Sequence, residues 1–372
     1  MRGILRDKPT SPNQLTTRKD YNSPFAALGG FGWFWQQFTD RRRTLPAGAR
    51  LEPERKWNCM PQEPLRIETI ASDPLLVTIR SIDFTGAISF SENLSFAVAY
   101  SDSCRTADGS LIGGARLSGE GDVLLLKRNL LMWRKKIPRP IKACVSSTGM
   151  AAICDIGFGP ELRSNILAFR DDGSTAVNET IEANLLSCAI TASGDFALFN
   201  SAGSPNSQDS VKLFAYTLPS GECSFRVDFF IQELTGAFFD GNKLTVIAEG
   251  MKYEYSPSGA LLNKFETEMA WFNREISSQY FASAHRILNN CLRDTIKDQE
   301  RAQLRAAYDR LISSDAPSDV RAKAHRDLGE QLLAQGENVQ ALAAFREALS
   351  LNPRIGLKRR VAELERSTGQ HC

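Results

Sequence analysis

Three histidines, His285, His325 and His371, and eight cysteines are the side chains that could bind a metal or run nucleophilic chemistry. A nitrogen and sulfur metal centre needs two donors aimed at one ion from a single element, which means spacing of i to i+3 or i+4 on a helix, or C-x-x-C in a loop. None of the histidines in the helix-patterned tail, His285 and His325, has a second histidine or cysteine at that spacing, and no C-x-x-C pair occurs. Cys144, Cys154 and Cys188 fall where the pattern reads as buried strand, so they are expected to be isolated thiols acting as small hydrophobes. His325 is expected to pack as an aromatic within a helix. The glycine clusters, Gly113-Gly114 with Gly119 and Gly121, and Gly157 with Gly159, lack the helix-opening context that phosphate cradling requires and read as turns. Asp171-Asp172-Gly173 offers two carboxylates, but at a hairpin apex, where Asp-Gly is turn chemistry. No nucleophile elbow, H-E-x-x-H, P-loop or kinase set is present. The expectation is therefore no catalytic residue, no metal and no cofactor.

Composition narrows the partners. The 372 residues are 42% hydrophobic with a formal net charge of +2, which supports large cores and gives no global pull toward nucleic acid or anionic membrane. The basic residues Arg41, Arg42, Arg43, Arg50, Arg55 and Lys56 form a local run, read as a solvated face. Just before it, 25–38 (FAALGGFGWFWQQF) gathers six aromatics, too short to span a bilayer, and is read as a helix packing on the core, with an interfacial or partner-docking peptide as the alternative. Residues 1–24 read as disordered. With no apolar leader and unpaired cysteines, a reducing cytoplasm is the expected location.

The elements that must position any site come next. Alternating apolar residues with Gly, Asn or Asp turns recur at 87–100, 142–156, 186–200 and 235–249, and a second kind of strand pair recurs at 122–137, 165–179, 211–227 and 253–265. Turn glycines Gly149, Gly194 and Gly241 lie 45 and 47 residues apart, close to the roughly 40–50 residues of one four-stranded propeller blade. Units are expected at 87–137, 141–183, 186–231 and 234–268. The stretches 65–71 and 75–82 supply strands that either close a ring or begin a fifth unit. In period and alternation the region resembles β-propellers of the WD-repeat or quinoprotein-like sort, and the resemblance implies a ring of about four to five blades. An irregular β-sandwich is the alternative fold.

From Trp271 the period changes to 3.6, with Phe272, Ile276, Phe281, Ala284, Ile287, Leu288 and Cys291 on one helical face and Leu304, Ala307, Tyr308, Leu311 and Ile312 on another. After a break at 315–318, Ser318 or Asp319 is placed to cap the next helix. Leu328, Gly329, Ala341, Phe345, Ala348 and Pro353 then match the signature L-G, A-x3-F, small, P, so residues 322–355 resemble one tetratricopeptide repeat, departing from it at His325 and Leu332. Residues 356–365 read as a solvating cap helix.

The fold class expected is mixed β then α: an N-terminal segment over 1–60, a β-propeller-like domain over 61–270 and an α-helical region carrying the repeat over 271–372. By the resemblance, first-helix positions that fall on Lys323, Arg326 and Glu330 face a peptide groove, and two cations one turn apart suit an acidic peptide tail. The function expected is a non-catalytic scaffold or adaptor that binds one or more proteins. A small-molecule or enzymatic site in the propeller channel, and nucleic-acid or membrane-surface binding through the basic N-terminal segment, are the alternatives. Self-association to complete a ring stays open.

Overall fold

Hairpin turns of the β region share a device that the sequence spells out. At the end of three first strands a hydroxyl folds back on its own turn: Ser91 Oγ accepts from Phe96 N, Ser146 Oγ from Met150 N and Thr191 Oγ1 from Phe196 N, each at 3.0 Å. Gly149 and Gly194 follow with φ of +91° and +80°, which only glycine adopts without cost. Successive tips are then stitched together, since Ser147 N donates to Ala192 O at 2.9 Å and Thr148 Oγ1 to Ser193 O at 3.1 Å. Adding a Cβ to Gly194 would set it 2.5 Å from Thr148 Oγ1, so the tips nest closely.

The computed structural model describes residues 63–369 apart from 71–72, 103, 106–110, 113–118, 159–161, 230–231 and 293–296. The expected N-terminal segment 1–60, His371, Gly113-Gly114 and Gly159 lie outside the described residues. The first sheet is an antiparallel meander of β1 (Glu68–Ile70), β2 (Asp73–Ile79), β3 (Phe84–Phe90) and β4 (Phe96–Ser101), interrupted by a two-stranded ribbon of β5 (Cys104–Arg105) and β6 (Leu111–Ile112), and completed by β7 (Gly121–Lys127) and β8 (Leu130–Ile137). The second sheet holds β9 (Pro140–Val145), β10 (Ala151–Asp155), β11 (Ser164–Phe169) and β12 (Thr175–Ile181). The third holds β13 (Leu185–Ile190), β14 (Phe196–Ser201), β15 (Lys212–Thr217) and β16 (Glu222–Asp228), and the fourth β17 (Leu234–Phe239), β18 (Leu244–Ala248) and β19 (Met251–Tyr255).

The four sheets stack face to face. Strand β10 is buried along its whole length because its two faces serve two cores. Ala151 and Ile153 join Phe96, Val98, Val123 and Leu125 of the first sheet, while Ala152 and Cys154 join Phe199, Phe214 and Tyr216 of the third. Strand β14 repeats the arrangement one sheet on, with Ala197 and Phe199 toward the second sheet and Leu198 toward Val246 and Tyr253 of the fourth. The strands that open the repeated hairpins are neighbours from sheet to sheet: β3 lies beside β9, β9 beside β13 and β13 beside β17.

Two expectations are corrected. The stretches 65–71 and 75–82, expected to close a ring or begin a fifth unit, contribute β1 and β2 to the first sheet instead; β2 pairs with β3, as Ile79 opposite Phe84 and Leu76 opposite Ala87. Among the described residues the fourth sheet has three strands, because residues 264 onward turn helical before the expected Trp271. Helix α1 (Lys264–Ser277) covers the β19 edge in place of a fourth strand, and the Asn263 side chain supplies what a strand would have: Oδ1 accepts from Glu254 N at 2.8 Å and Nδ2 donates to Lys252 O at 3.0 Å. Trp271 Nε1 donates to Tyr253 Oη at 3.2 Å, Tyr253 Oη donates to Gln232 Oε1 at 2.8 Å, and Arg274 pairs with Glu249 at 3.0 Å. The chain of buried polar groups continues inward, where Asn200 Nδ2 donates to the Gln232 carbonyl and Ser187 Oγ donates to Asn200 Oδ1 at 2.6 Å.

Helices α2 (Phe281–Cys291), α3 (Asp298–Ile312), α4 (Ser318–Ala334), α5 (Asn338–Leu351) and α6 (Lys358–Thr368) follow. Their core is separate and contains Phe272, Leu288, Leu304, Tyr308, Leu311, Leu328, Phe345 and Leu364. Neither Ser318 nor Asp319 caps α4; Pro317 is the N-cap, and its carbonyl accepts from Val320 N and Arg321 N at 2.9 and 3.0 Å. No described helix is long and apolar enough to cross a membrane.

Candidate protein-binding face of the helical array

The seam between α4 and α5 is built from small residues facing one ring. Phe345 is fully buried, and a Cβ on Gly329 would lie 2.5 Å from its Cε1 and 2.6 Å from its Cδ1, so the glycine backbone itself is the wall against which the ring packs. Ala341 and Ala348 are also fully buried, one turn before and one turn after Phe345. Gly336 takes φ +78° and ends α4, with Glu337 N reaching back to Leu332 O at 2.8 Å. This packing fixes which way the rest of α4 points.

Lys323, Arg326 and Glu330 recur at i, i+3 and i+7 and share one face of α4, as the 3.6-residue period requires. The structure gives each an intramolecular partner. Lys323 Nζ lies 3.6 Å from Asp319 one turn earlier, Arg326 Nε lies 2.8 Å from Asp327 Oδ1, and Glu330 lies 3.3 Å from Arg360 of α6. The side chains of Lys323, Glu330 and Arg360 are 48%, 49% and 45% exposed, so their pairs are worth no more than ~1 kcal/mol each and a charged ligand can exchange with them.

Asp327 is different. It is nearly buried, and its Oδ2 accepts from Nε2 of buried His285 on α2 at 2.9 Å while Oδ1 accepts from Arg326. Burial pushes the carboxyl up, but the two hydrogen bonds and the Arg326 charge win and hold it below the ordinary aspartate value. Asp327 thus ties α2 to α4 as Glu330 ties α4 to α6. His325 points elsewhere, half-buried, and burial lowers its pKa.

On the opposite flank, α3 and α4 enclose a shallow cleft of about 330 Å³ lined by Asp298, Arg301, Arg305, Leu328, Gln331 and Gln335. Gln331 Nε2 is shielded from solvent and has no acceptor among the described residues. Sequence reasoning missed His285, Asp327, Arg360 and this cleft. The i, i+4 spacing of Arg301 with Arg305 and of Gln331 with Gln335 was the available signal for the cleft, whereas the His285–Asp327 contact joins helices 42 positions apart and leaves no local trace. Among the described residues no group of three His, Cys, Asp or Glu side chains is arranged to hold a metal ion. Asp172, at its hairpin apex, accepts from Ser174 N at 2.8 Å, which is turn chemistry.

No protein-family model matches the chain, and no curated protein does. Among solved structures, hydrazine synthase of Kuenenia stuttgartiensis is similar over 50% of this chain and 59% of its own, with 11% sequence identity and a TM-score of 0.30. The chain therefore spans less than two thirds of that protein, and a likeness at this TM-score carries no argument about fold or activity.

Proposed function

We propose that the chain is a non-catalytic adaptor that captures an acidic segment of a partner protein on the α4 face of a tetratricopeptide-like array. The observation that carries this reading is the Gly329–Phe345 seam: the residues that match the repeat signature are those that meet between α4 and α5, with no room for a Cβ at the glycine. Charge specifies the ligand. Lys323, Arg326 and Arg360 border the face, and Asp319 and Glu330 are the carboxylates that an incoming acidic segment replaces. The β region is read as a propeller-like stack of four sheets. The face-to-face packing, the neighbouring first strands and the near-constant turn period support that reading.

The test is fluorescence anisotropy of a labelled hexaglutamate peptide against the full chain, with hexaglutamine as control. Lys323→Glu combined with Arg326→Gln, which avoids setting a second carboxylate against Asp327, should weaken hexaglutamate binding by about tenfold or more. Arg301→Glu with Arg305→Glu should leave it intact. Binding that survives the first pair and fails with the second moves the ligand to the α3–α4 cleft, where the Gln331 amide lacks an acceptor. No binding to either peptide removes the acidic-segment reading.

A further inference from the structure

The three cysteines expected to be solitary meet at the interface of the second and third sheets. On the second sheet Cys144 stands opposite Ala152 and Lys142 opposite Cys154, so strand alternation puts Lys142, Cys144, Ala152 and Cys154 on one face. That face meets β13, where Cys188 Sγ lies 3.5 Å from Cys144 Sγ and 3.6 Å from the Ala152 carbonyl oxygen. All three are free thiols; Cys154 and Cys188 are buried and Cys144 is half-buried. Lys142 keeps 37% of its side chain exposed and pairs with Glu233 at the rim, so the cluster adjoins solvent on its cationic side.

We propose that Cys144 and Cys188 form an oxidisable dithiol, which a hydroperoxide closes into a disulfide joining the second sheet to the third. A disulfide needs the sulfurs at about 2.05 Å, an approach of about 1.5 Å from the observed separation, within the reach of side-chain rotation on two strands that already touch. Cys188 is the attacking sulfur. Hydrogen bonds from the Cys144 and Cys154 thiols, with the charge of Lys142, outweigh burial and lower its pKa, while Cys144, donating to Cys188, and Cys154, by burial, are raised.

The thiolate attacks the terminal peroxide oxygen, the O–O bond breaks, and the leaving alkoxide or hydroxide takes up the proton released in forming the thiolate. Cys188 is then a sulfenic acid. Cys144 attacks that sulfur, the S–O bond breaks, and the hydroxide departs as water with the Cys144 proton. In sum, two thiols and one hydroperoxide give one disulfide, one water and one alcohol or second water; the sulfur pair loses the two electrons that the peroxide gains. Cys154 stays reduced and acts as a positioning residue through its hydrogen bond to Cys188.

The experiment uses the reduced full-length protein with a few equivalents of hydrogen peroxide, blocking of remaining thiols with N-ethylmaleimide, tryptic digestion without reductant and mass spectrometry. Cys144 and Cys154 share one tryptic peptide, since no Lys or Arg separates them, whereas Cys188 lies alone in another. The expected product is those two peptides linked, lost on adding dithiothreitol. Cys154→Ala should keep the link but form it more slowly, by about threefold or more, as one donor to the thiolate is gone. Cys144→Ser should abolish it and leave Cys188 as a sulfenic acid trapped by dimedone. A link that survives Cys144→Ser, a link that appears only after urea is added before the peroxide, or a Cys188 still fully alkylated after peroxide overturns the proposal. In the wild-type protein, fragmentation of the linked peptide that places the N-ethylmaleimide on Cys154 assigns the bond to Cys144, and a label on Cys144 instead overturns the proposal, even if a variant fails to fold.

Discussion

Replacing Gly329 by alanine is the sharpest perturbation of the helical array because two opposed effects have known sizes. In an open helix position the change stabilises by about 1 kcal/mol, the difference in helix propensity. Here the new carbon would lie 2.5 and 2.6 Å from two ring atoms of Phe345. Carbon atoms rest about 3.5–4.0 Å apart, so α4 and the ring must separate by about 1 Å. Phe345 is fully buried in the core that holds Leu328, Leu332, Ala341 and Ala348. Overpacking of this kind costs about 1–3 kcal/mol. The net expectation is destabilisation of up to about 2 kcal/mol, against the stabilisation that propensity alone predicts. Urea unfolding followed by circular dichroism at the helical band reads the sign. A second variant isolates the cause: Phe345→Leu shortens the ring edge, so Gly329→Ala should cost less in that background than in the parent, with a coupling of about 1 kcal/mol or more. If Gly329→Ala stabilises the protein in both backgrounds, the two helices do not touch at this residue and the packing argument for the seam fails.

Asp327→Ala should destabilise by about 3 kcal/mol, because it strands buried His285 without its acceptor, and Asn289 with Tyr308 nearby offers no replacement carboxylate. Since the folded pKa of Asp327 lies below its unfolded value of about 3.9, its contribution is full above that value and is lost as pH falls through the lower folded pKa; stability measured from pH 6 to 2 should decline less steeply in Asp327→Asn than in the parent. Asn200→Ala, at a fully buried site, should cost about 2–3 kcal/mol by leaving the Ser187 hydroxyl and the Gln232 carbonyl unsatisfied, and hydrogen exchange at Leu234 N, which donates to Ser187 Oγ at 2.8 Å, should speed up; unchanged exchange there would mean that the polar chain is not a structural unit.

Much of the β region was legible because the information is local. Alternation marks strands, and glycine marks the turns that need positive φ, as Gly149 and Gly194 do. The helical motif was legible for the same reason, since Gly329, Ala341 and Phe345 act across one tight hairpin. What could not be read is set by which surfaces meet. Residues 264–270 carry Phe265 and Met269 one helical turn apart, but the preceding Ser-Pro-Ser-Gly turn continues the hairpin pattern and masks the switch to helix. Strand β2 joins the first sheet because the edge of β3 is open, which no property of residues 73–79 announces. For the site, period alone placed Lys323, Arg326 and Glu330 on one face, while their partners, Asp327 backed by His285 and Glu330 held by Arg360, arise from helices brought alongside. Likewise alternation assigned Cys144 and Cys154 to one face of the second sheet but was silent on the sulfur that comes to meet them.

The junction of α1 with the fourth sheet has a consequence for avidity. A flexible tether lets two binding surfaces reach partners over many separations, and its length sets their effective concentration. Here Trp271 hydrogen-bonded to Tyr253, Arg274 paired with Glu249 and Asn263 bonded along the β19 edge join α1 to the fourth sheet without such a tether. On the proposed adaptor reading, this joint sets the separation between a surface on the sheets and the α4 face, and a partner carrying two epitopes matched to it would gain the intramolecular advantage. One whose epitopes lie at another distance gains none, so the joint acts as a ruler.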